Sequence, residues 1–287
     1  MSTATHQSTW DARIARAREL GSSRPAARDL LGFYAALAEY QRGLAIAAQD
    51  AATLDAERVV TAIPGLLAWL RSAGKSDLAE SVDIDWVASV FRGKSNDSRS
   101  LPPEGGSHPS GVGVTSGDQS GVGVASGFSR KAASGASNPG EQFVIESLLQ
   151  AFAGQLVIPD RSPGHGSTPM RCPRCDALPV VAVLREEGHG ARRSLLCALC
   201  LTEWECLRIV CPACGEQDRD QLPIYAAEQF AHVRIDACDR CHQYIKTIDL
   251  TRDGLAVPCV DDIASVSLDL WAREQGYTRI HRNVLGI

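Results

Sequence analysis

The sequence has no long hydrophobic run and no excess of positive charge, and each absence excludes a class of protein. Its apolar stretches fall well short of the roughly 18 residues that a membrane-spanning helix needs, so we expect no membrane insertion. Residues 1–10 are polar and lack the apolar core of a secretory signal, which predicts a cytoplasmic protein. The 29 Lys and Arg against 34 Asp and Glu give a net charge of -5, which does not indicate nucleic-acid binding.

Catalytic residue sets are also absent from the sequence. We recognise no Ser/His/Asp set, no paired catalytic carboxylates and no Walker-type phosphate-binding loop, so we expect that the chain is not an enzyme. Ten cysteines are present without a secretory segment. In a reducing compartment cysteines are used for metal ligation more often than for disulfides, and this is the chemistry that we expect here.

The N-terminal third, residues 1–92, is predicted to be a helical domain. Apolar residues recur with helical spacing over residues 30–44 and again over residues 59–70. Pro64 interrupts the second stretch, where it either kinks a helix or starts a new one. These apolar faces are best explained as the core of a helix bundle.

Two further helices are predicted on either side of a low-complexity segment. Leu78, Val82 and Trp86 are spaced as i, i+4 and i+8, which predicts one continuous helix. Residues 141–170 combine a helical pattern with a connector rich in Pro and Gly. Between these helices, residues 93–140 are rich in Gly and Ser and contain a short tandem repeat, so we expect a disordered insertion.

Four Cys-x-x-Cys pairs provide the strongest chemical signal in the chain. Their members are Cys172 and Cys175, Cys197 and Cys200, Cys211 and Cys214, and Cys238 and Cys241. The two intervening residues allow a tight turn to direct both sulfurs at one ion, and eight thiolates suffice for two tetrahedral sites. The chemistry of the ligands does not distinguish iron from zinc.

The cysteine region is an internal duplication, with similar spacing in its two halves. Each unit has the order knuckle, hairpin, knuckle that is typical of rubredoxins and zinc ribbons. This repeat favours one metal site within residues 171–208 and a second within residues 209–257, over a cross-braced arrangement. Strands are expected at residues 179–184, 194–196, 207–210, 233–235 and 244–248.

The last segment, residues 258–287, is predicted to contain a C-terminal helix and a tail. Either Asp261 or Asp262 could cap this helix, and Gly276 is expected to end it. The fold class that follows is α+β, with a helical N-terminal domain, two tandem rubredoxin-like or zinc-ribbon modules and a C-terminal helix.

Two further cysteines and one histidine are not assigned as ligands. Cys206 and Cys259 lie outside the pairs and are best explained as small buried hydrophobic residues, with sulfur chemistry as the alternative. His242 follows the last cysteine directly and is expected on the knuckle surface rather than among the ligands.

With these motifs laid out, the second half of the chain resembles the formate dehydrogenase accessory protein FdhE family. The similar stretches are residues 171–179, 195–204, 208–215, 238–247 and 261–277, including the string Cys-Ala-Leu-Cys-Leu-Thr-Glu-Trp at 197–204. The Gly/Ser-rich insertion departs from the family pattern. The resemblance implies two rubredoxin-like modules that bind iron through the eight paired cysteines. It also implies a cytoplasmic maturation factor that binds the catalytic subunit of formate dehydrogenase, and it leaves self-association open.

Two other functions compete with this one. A zinc-ribbon nucleic-acid binder could use a basic patch at Arg192, Arg193 and Arg208, but residues 171–250 carry 10 basic and 12 acidic side chains. A thiol-disulfide oxidoreductase would be expected to use a single Cys-x-x-Cys motif at a helix N-terminus, not four such motifs in hairpins.

Overall fold

A computed structural model describes five stretches of the chain. They are residues 3–48, 56–92, 138–153, 170–188 and 190–287, with side chains described from residue 9 onward. Most of the predicted Gly/Ser-rich insertion and the connector at residues 154–169 lie outside the described residues.

The N-terminal part is helical, as the sequence predicts. Its helices are α1 (Thr3–Ser23), α2 (Arg28–Ala47), α3 (Ala56–Ser72), α4 (Ser76–Glu80), α5 (Ile84–Phe91) and α6 (Pro139–Phe152). Their buried apolar faces form one core, which also includes the first two cysteine pairs. Within the described ranges, no helix is both long enough and apolar enough to cross a bilayer.

Two details of the predicted helices are settled by the structure. Helix α3 continues through Pro64. The single helix predicted from Leu78, Val82 and Trp86 is wrong, because the chain forms two helices there, α4 and α5. The break occurs because the Asp83 side chain accepts a hydrogen bond from the Trp86 backbone N–H at 3.0 Å and so starts a new helix.

Helix α6 is joined to α4 by close backbone packing at its first turn. Asn138 caps α6 by accepting from the Glu141 N–H at 2.9 Å, and its Nδ2 donates to the Ser81 carbonyl oxygen at 2.9 Å. A Cβ at Gly140 would lie only 2.9 Å from the Leu78 carbonyl oxygen, so only glycine fits at this contact.

The C-terminal part is built on one seven-stranded sheet. The strands are β1 (Pro179–Glu187), β2 (Gly190–Cys197), β3 (Glu203–Glu205), β4 (Ile224–Ala226), β5 (Val233–Cys238), β6 (Gln243–Asp249) and β7 (Thr278–Arg279). Their order is β3-β2-β1-β6-β5-β4, and β7 pairs with β6. Pairing is antiparallel except at the β1–β6 and β6–β7 contacts.

This strand order shows the duplication in three dimensions. Each unit supplies three strands in the same order, β3-β2-β1 from the first and β6-β5-β4 from the second. The last strand of the second unit pairs in parallel with the first strand of the first unit, from Val181↔Lys246 to Leu184↔Asp249. The two units therefore share a continuous sheet, which the spacing of cysteines alone did not indicate.

The strand predicted at residues 207–210 is wrong. The strand after the second cysteine pair is β3, which lies a few residues earlier and pairs with β2. The backbone of 207–210 is instead held by a side chain, since Arg193 Nη1 donates to the carbonyl oxygens of Val210 at 3.0 Å and Leu207 at 3.3 Å.

The predicted C-terminal helix is two short helices, α7 (Pro258–Ala264) and α8 (Val266–Glu274). The prediction that Asp261 or Asp262 caps a helix is wrong, because both are buried inside α7 and bind basic side chains. Gly276 follows α8 with a left-handed φ of 86°, as expected for a helix stop.

Candidate metal centres

The first cysteine cluster contains Cys172, Cys175, Cys197 and Cys200, with all four side chains buried. Two of them precede β1, Cys197 ends β2, and Cys200 lies in the turn that follows. The Sγ–Sγ distances are 3.5 Å for Cys172–Cys200, 3.3 Å for Cys175–Cys197 and 3.5 Å for Cys175–Cys200. This cluster lies within the core that the N-terminal helices form.

The second cluster contains Cys211, Cys214, Cys238 and Cys241. Its Sγ–Sγ distances are 3.7 Å for Cys211–Cys241 and 3.7 Å for Cys214–Cys238. Two of its members are buried, but Cys241 is half-buried and Cys214 is exposed. The structure thus brings together the pairs of one repeat unit in each case, as predicted, and does not cross-brace the two units.

The geometry of both clusters fits a tetrahedrally coordinated ion. Metal–sulfur bonds of about 2.3 Å place the four sulfurs of such a site about 3.8 Å apart. The distances in the second cluster lie close to this value, and those in the first are slightly shorter. The backbone N–H groups of Leu199 and Cys200 both donate to Cys197 Sγ at 3.4 Å, which disperses thiolate charge.

The backbone of all four knuckles has a common feature. The residue after the second cysteine of each pair has a left-handed φ, in the order Asp176 (61°), Leu201 (54°), Gly215 (79°) and His242 (53°). Three of these residues are not glycine. Among the described residues, no other non-glycine residue has a positive φ. This conformation costs about 1 kcal/mol or more per residue, so another interaction has to hold the knuckles in place. An ion bound by the adjacent sulfurs would provide it.

Crowding of the thiols changes their acidity within the first cluster. Hydrogen bonds from Cys172 and the other two thiols lower the pKa of Cys200, whereas burial and hydrogen bonding raise the pKa of Cys197. The hydrogen bond with Cys172 also raises the pKa of Cys175. Four buried sulfurs at these distances cannot all be ionised without a compensating cation, which is the charge state that a metal site needs.

The second cluster has the same pattern in a more polar setting. Burial raises the pKa of Cys211 to about 11. Burial would also raise the pKa of exposed Cys214, but hydrogen bonds from the Glu216 backbone and from neighbouring thiols outweigh it and lower that pKa.

Helix α6 supports the first cluster from the helical side. Gln150 Nε2 donates to the carbonyl oxygen of Ala198, inside the second knuckle, at 2.8 Å. One turn earlier on α6, Glu146 is buried and accepts a hydrogen bond from Gln142, and burial raises the pKa of Glu146 to about 8.

A buried ionic network supports the second unit from the other side of the sheet. Lys246 on β6 contacts Asp269 at 2.5 Å and Asp262 at 2.9 Å, and Arg279 contacts the same two carboxylates at 3.1 Å and 2.5 Å. Burial would raise the pKa of Asp262, but Arg279 and Lys246 outweigh it and lower that pKa. The two basic and two acidic side chains of this network have a net charge of zero. The Tyr244 hydroxyl also donates a hydrogen bond to Asp269 at 2.8 Å.

A third set of side chains has ligand atoms close enough together to suggest a metal site, namely His232, Asp253 and Asp261. The guanidinium of Arg16 on α1 occupies this position, since its Nη2 contacts Asp253 at 2.6 Å and Asp261 at 2.7 Å. We therefore assign the group to the interface between α1 and α7 and not to metal binding.

The alternative of a basic patch at Arg192, Arg193 and Arg208 is not supported as a single surface, because the structure separates Arg192 from Arg193. Adjacent residues of a strand point to opposite faces, so Arg192 faces solvent and contacts Glu205 at 2.8 Å, whereas Arg193 is buried and contacts Asp236 at 3.2 Å.

The remaining thiols and the knuckle histidine lie outside both clusters. Cys206 is buried, and Arg193 Nη1 lies 3.9 Å from its Sγ. Cys259 is half-buried and receives a hydrogen bond from the Tyr34 hydroxyl at 3.5 Å. His242 is exposed on its knuckle.

Comparison with known proteins agrees with this geometry. Residues 171–208 match the model of the FdhE central domain, and residues 209–285 match that of the FdhE C-terminal domain. An FdhE homolog of Aquifex aeolicus is 45% identical over 117 residues, which is 40% of this chain and 41% of the relative. An FdhE homolog of Haemophilus ducreyi is 32% identical over 145 residues, 50% of this chain and 47% of the relative.

The matched stretch therefore spans less than half of the length of each of these two relatives. The fold is also similar to the crystal structure of the FdhE protein from Pseudomonas aeruginosa, with a TM-score of 0.59 and 21% sequence identity. The superposition covers 97% of this chain and 95% of the Pseudomonas chain. This likeness extends the common fold to the helical part. The resemblance seen in the sequence is confirmed for residues 171–285, which are similar to the central and C-terminal domains of the FdhE family.

Proposed function

We propose that this chain is a cytoplasmic accessory protein needed to form active formate dehydrogenase, and that it is not itself a metabolic enzyme. In this proposal it binds the immature catalytic subunit of that enzyme through its two metal–thiolate modules. The observation that carries the proposal is the pair of four-cysteine clusters within the central and C-terminal FdhE domains.

The proposal assigns the eight paired cysteines as metal ligands, with one ion in each cluster. We propose iron, as the family resemblance implies, with zinc as the alternative. Iron in a tetrathiolate site can exchange an electron, whereas zinc has only a structural role there. The sulfur spacing and the left-handed knuckle residues support ligation by either metal.

Complementation tests the function directly. In a bacterium lacking its own FdhE-family protein, this chain should restore formate dehydrogenase activity in the membrane fraction. Replacement of Cys172 and Cys175, or of Cys211 and Cys214, with serine should abolish the restored activity. Cys206→Ser and Cys259→Ser provide matched controls, because these thiols lie outside both clusters. Unchanged activity in cluster variants that have lost their metal would contradict a role for the metal, and failure of the wild-type chain to restore activity would contradict the function.

Metal identity is tested on protein purified without oxygen. About two irons per chain, with thiolate-to-iron absorption bands that bleach on reduction, would support two rubredoxin-like modules. Two zinc ions in colourless protein from iron-supplemented cells would contradict the iron assignment and leave the modules with a structural role.

A further inference from the structure

A cleft of about 390 Å³ lies directly beside the second cysteine cluster, and Cys211 forms part of its wall. Its volume falls in the range of ligand-binding sites in proteins. Val210 and Ala237 in its wall are buried, whereas Ile224 at its rim is 57% exposed. The site is thus an open cleft that combines apolar with charged side chains, and its wall includes residues of β2, β5 and β4.

The cleft carries an excess of positive charge in an acidic protein. Four arginines line it, namely Arg193, Arg208, Arg219 and Arg234, against one acidic residue, Asp236. Arg193 and Arg234 both contact Asp236, at 3.2 Å and 2.8 Å. Arg208 and Arg219 are exposed, and no carboxylate in the described chain pairs with either of them. A divalent ion in the four thiolates of the second cluster would add two negative charges, and the cleft would still be positive by one.

The buried arginine at the floor has unused hydrogen-bonding capacity. Only 3% of the Arg193 surface is exposed, and its two terminal nitrogens bind Asp236 and the backbone carbonyl oxygens of residues 207 and 210. Its Nε has no partner among the described residues. Buried donors are normally satisfied, so this nitrogen is an exception among the described residues.

The cleft also borders an open edge of the sheet. Strand β4 is the terminal strand, and within the described residues no strand pairs with its outer edge. An unpaired edge can accept an extended peptide through backbone hydrogen bonds, with side chains providing specificity. A small anion would use the arginines but not this edge or the exposed Ile224.

We propose that this cleft binds an extended acidic segment of a partner polypeptide, which adds to the edge of β4. The acidic side chains of the segment would pair with Arg208 and Arg219, and arginine suits carboxylates because it can donate two parallel hydrogen bonds. The bound segment would lie against Cys211. This inference rests on the proposed function, which supplies the partner: the immature catalytic subunit of formate dehydrogenase.

Binding of the purified catalytic subunit to the metal-loaded, full-length protein tests the inference. The double variant Arg208→Glu/Arg219→Glu should weaken binding at least tenfold at low salt, with unchanged metal content and circular dichroism. The double variant Arg71→Glu/Arg273→Glu, which reverses two exposed arginines outside the cleft, should bind as the wild type does. Equal binding by the cleft variant and the wild type would overturn the inference and leave the proposed function standing. A wild-type protein that does not bind the subunit at all would overturn both.

A charge-swapped pair excludes a folding artefact. Overlapping peptides from the catalytic subunit identify the bound segment, which is then synthesised with lysine in place of Glu and Asp. The swapped peptide should bind the Arg208→Glu/Arg219→Glu variant and not the wild type, and the original peptide should protect residues 224–226 from hydrogen exchange. Binding of a twenty-nucleotide oligo-dT to the wild type, lost in the cleft variant and without binding of any peptide, would overturn the inference in favour of a nucleic-acid site.

Discussion

The two cysteine clusters have the same ligand pattern but lie in different surroundings. The four sulfurs of the first cluster are buried in the core shared with the N-terminal helices, whereas the second cluster exposes Cys214 and part of Cys241. The first therefore resembles a closed structural site, and the second is accessible to solvent and to a partner. Duplicated modules have acquired different environments because different elements pack against them.

The packing elements also differ in chemistry. Apolar side chains of the N-terminal helices pack around the first cluster, and Gln150 donates a hydrogen bond to the carbonyl oxygen of Ala198 in its second knuckle. The second unit is supported across the sheet by α7 and α8 through four buried charges. Damage to the helical domain should therefore affect the first cluster most, and damage to the ionic network should affect the second unit.

The largest effect is expected from Cys197→Ser. This residue is fully buried and accepts two backbone N–H bonds in its knuckle. Loss of the ion should remove at least about 5 kcal/mol of folding free energy, comparable to the whole stability of a domain. Cys214→Ser should cost less, because Cys214 is exposed. Urea denaturation with metal analysis measures both, and equal losses would remove the distinction between the clusters.

Lys246→Met should be the next most damaging change. It leaves Asp262 and Asp269 buried with a single guanidinium, and breaking a buried ion pair costs about 3–5 kcal/mol. Adding Asp269→Asn to this variant should recover part of the loss by restoring neutrality. Thermal unfolding measures these changes against Lys75→Met, an exposed lysine in the helical domain. A loss no larger than that of the control would mean that the network does not stabilise the fold.

Chelator kinetics should separate the clusters by rate. With an excess of chelator, one ion per chain should leave at least about 100-fold faster than the other, equivalent to about 2.7 kcal/mol in barrier height. Cys214→Ser should abolish the fast phase and leave a protein with one ion, and Cys206→Ser should retain both phases. Release of both ions in a single phase would contradict the assignment of a closed and an open site.

Glu146→Gln should have no effect on stability at low pH and a stabilising effect at higher pH. Burial raises the pKa of Glu146 from its usual 4.5 to about 8, so the folded chain retains a proton that the unfolded chain has lost. The stability contributed by this group is complete below pH 4.5 and is lost as the pH rises to about 8. Glutamine does not titrate, so the variant should match the wild type near pH 4.5 and become increasingly more stable than the wild type as the pH rises to 8.

Urea titrations of both proteins at several pH values measure this difference. A stability advantage of the glutamine variant that stays constant from pH 4.5 to pH 8 would show that Glu146 is not the titrating group.

Much of the site could be predicted from local sequence. The spacing in each Cys-x-x-Cys pair and the duplicated order correctly predicted which pairs come together. Two of the errors share one cause, namely that side chains distant in the sequence provide interactions that local patterns do not show. Asp261 and Asp262 have the composition of helix caps but bind Arg16, Lys246 and Arg279 instead. Residues 207–210 have a strand pattern, but two of their carbonyl oxygens accept hydrogen bonds from the Arg193 side chain and not from a neighbouring strand.

The sequence by itself determined which cysteines form each cluster, because the spacing within each pair and the duplicated order of the pairs can be read along the chain. It could not determine burial, since the exposure of Cys214 and the enclosure of Cys197 depend on elements far away along the chain. The tertiary structure alone decided that β1 and β6 join the two units into one sheet. It also placed four arginines, from residue 193 to residue 234, around one cleft. Long-range pairing and packing set these features, and no local pattern encodes them.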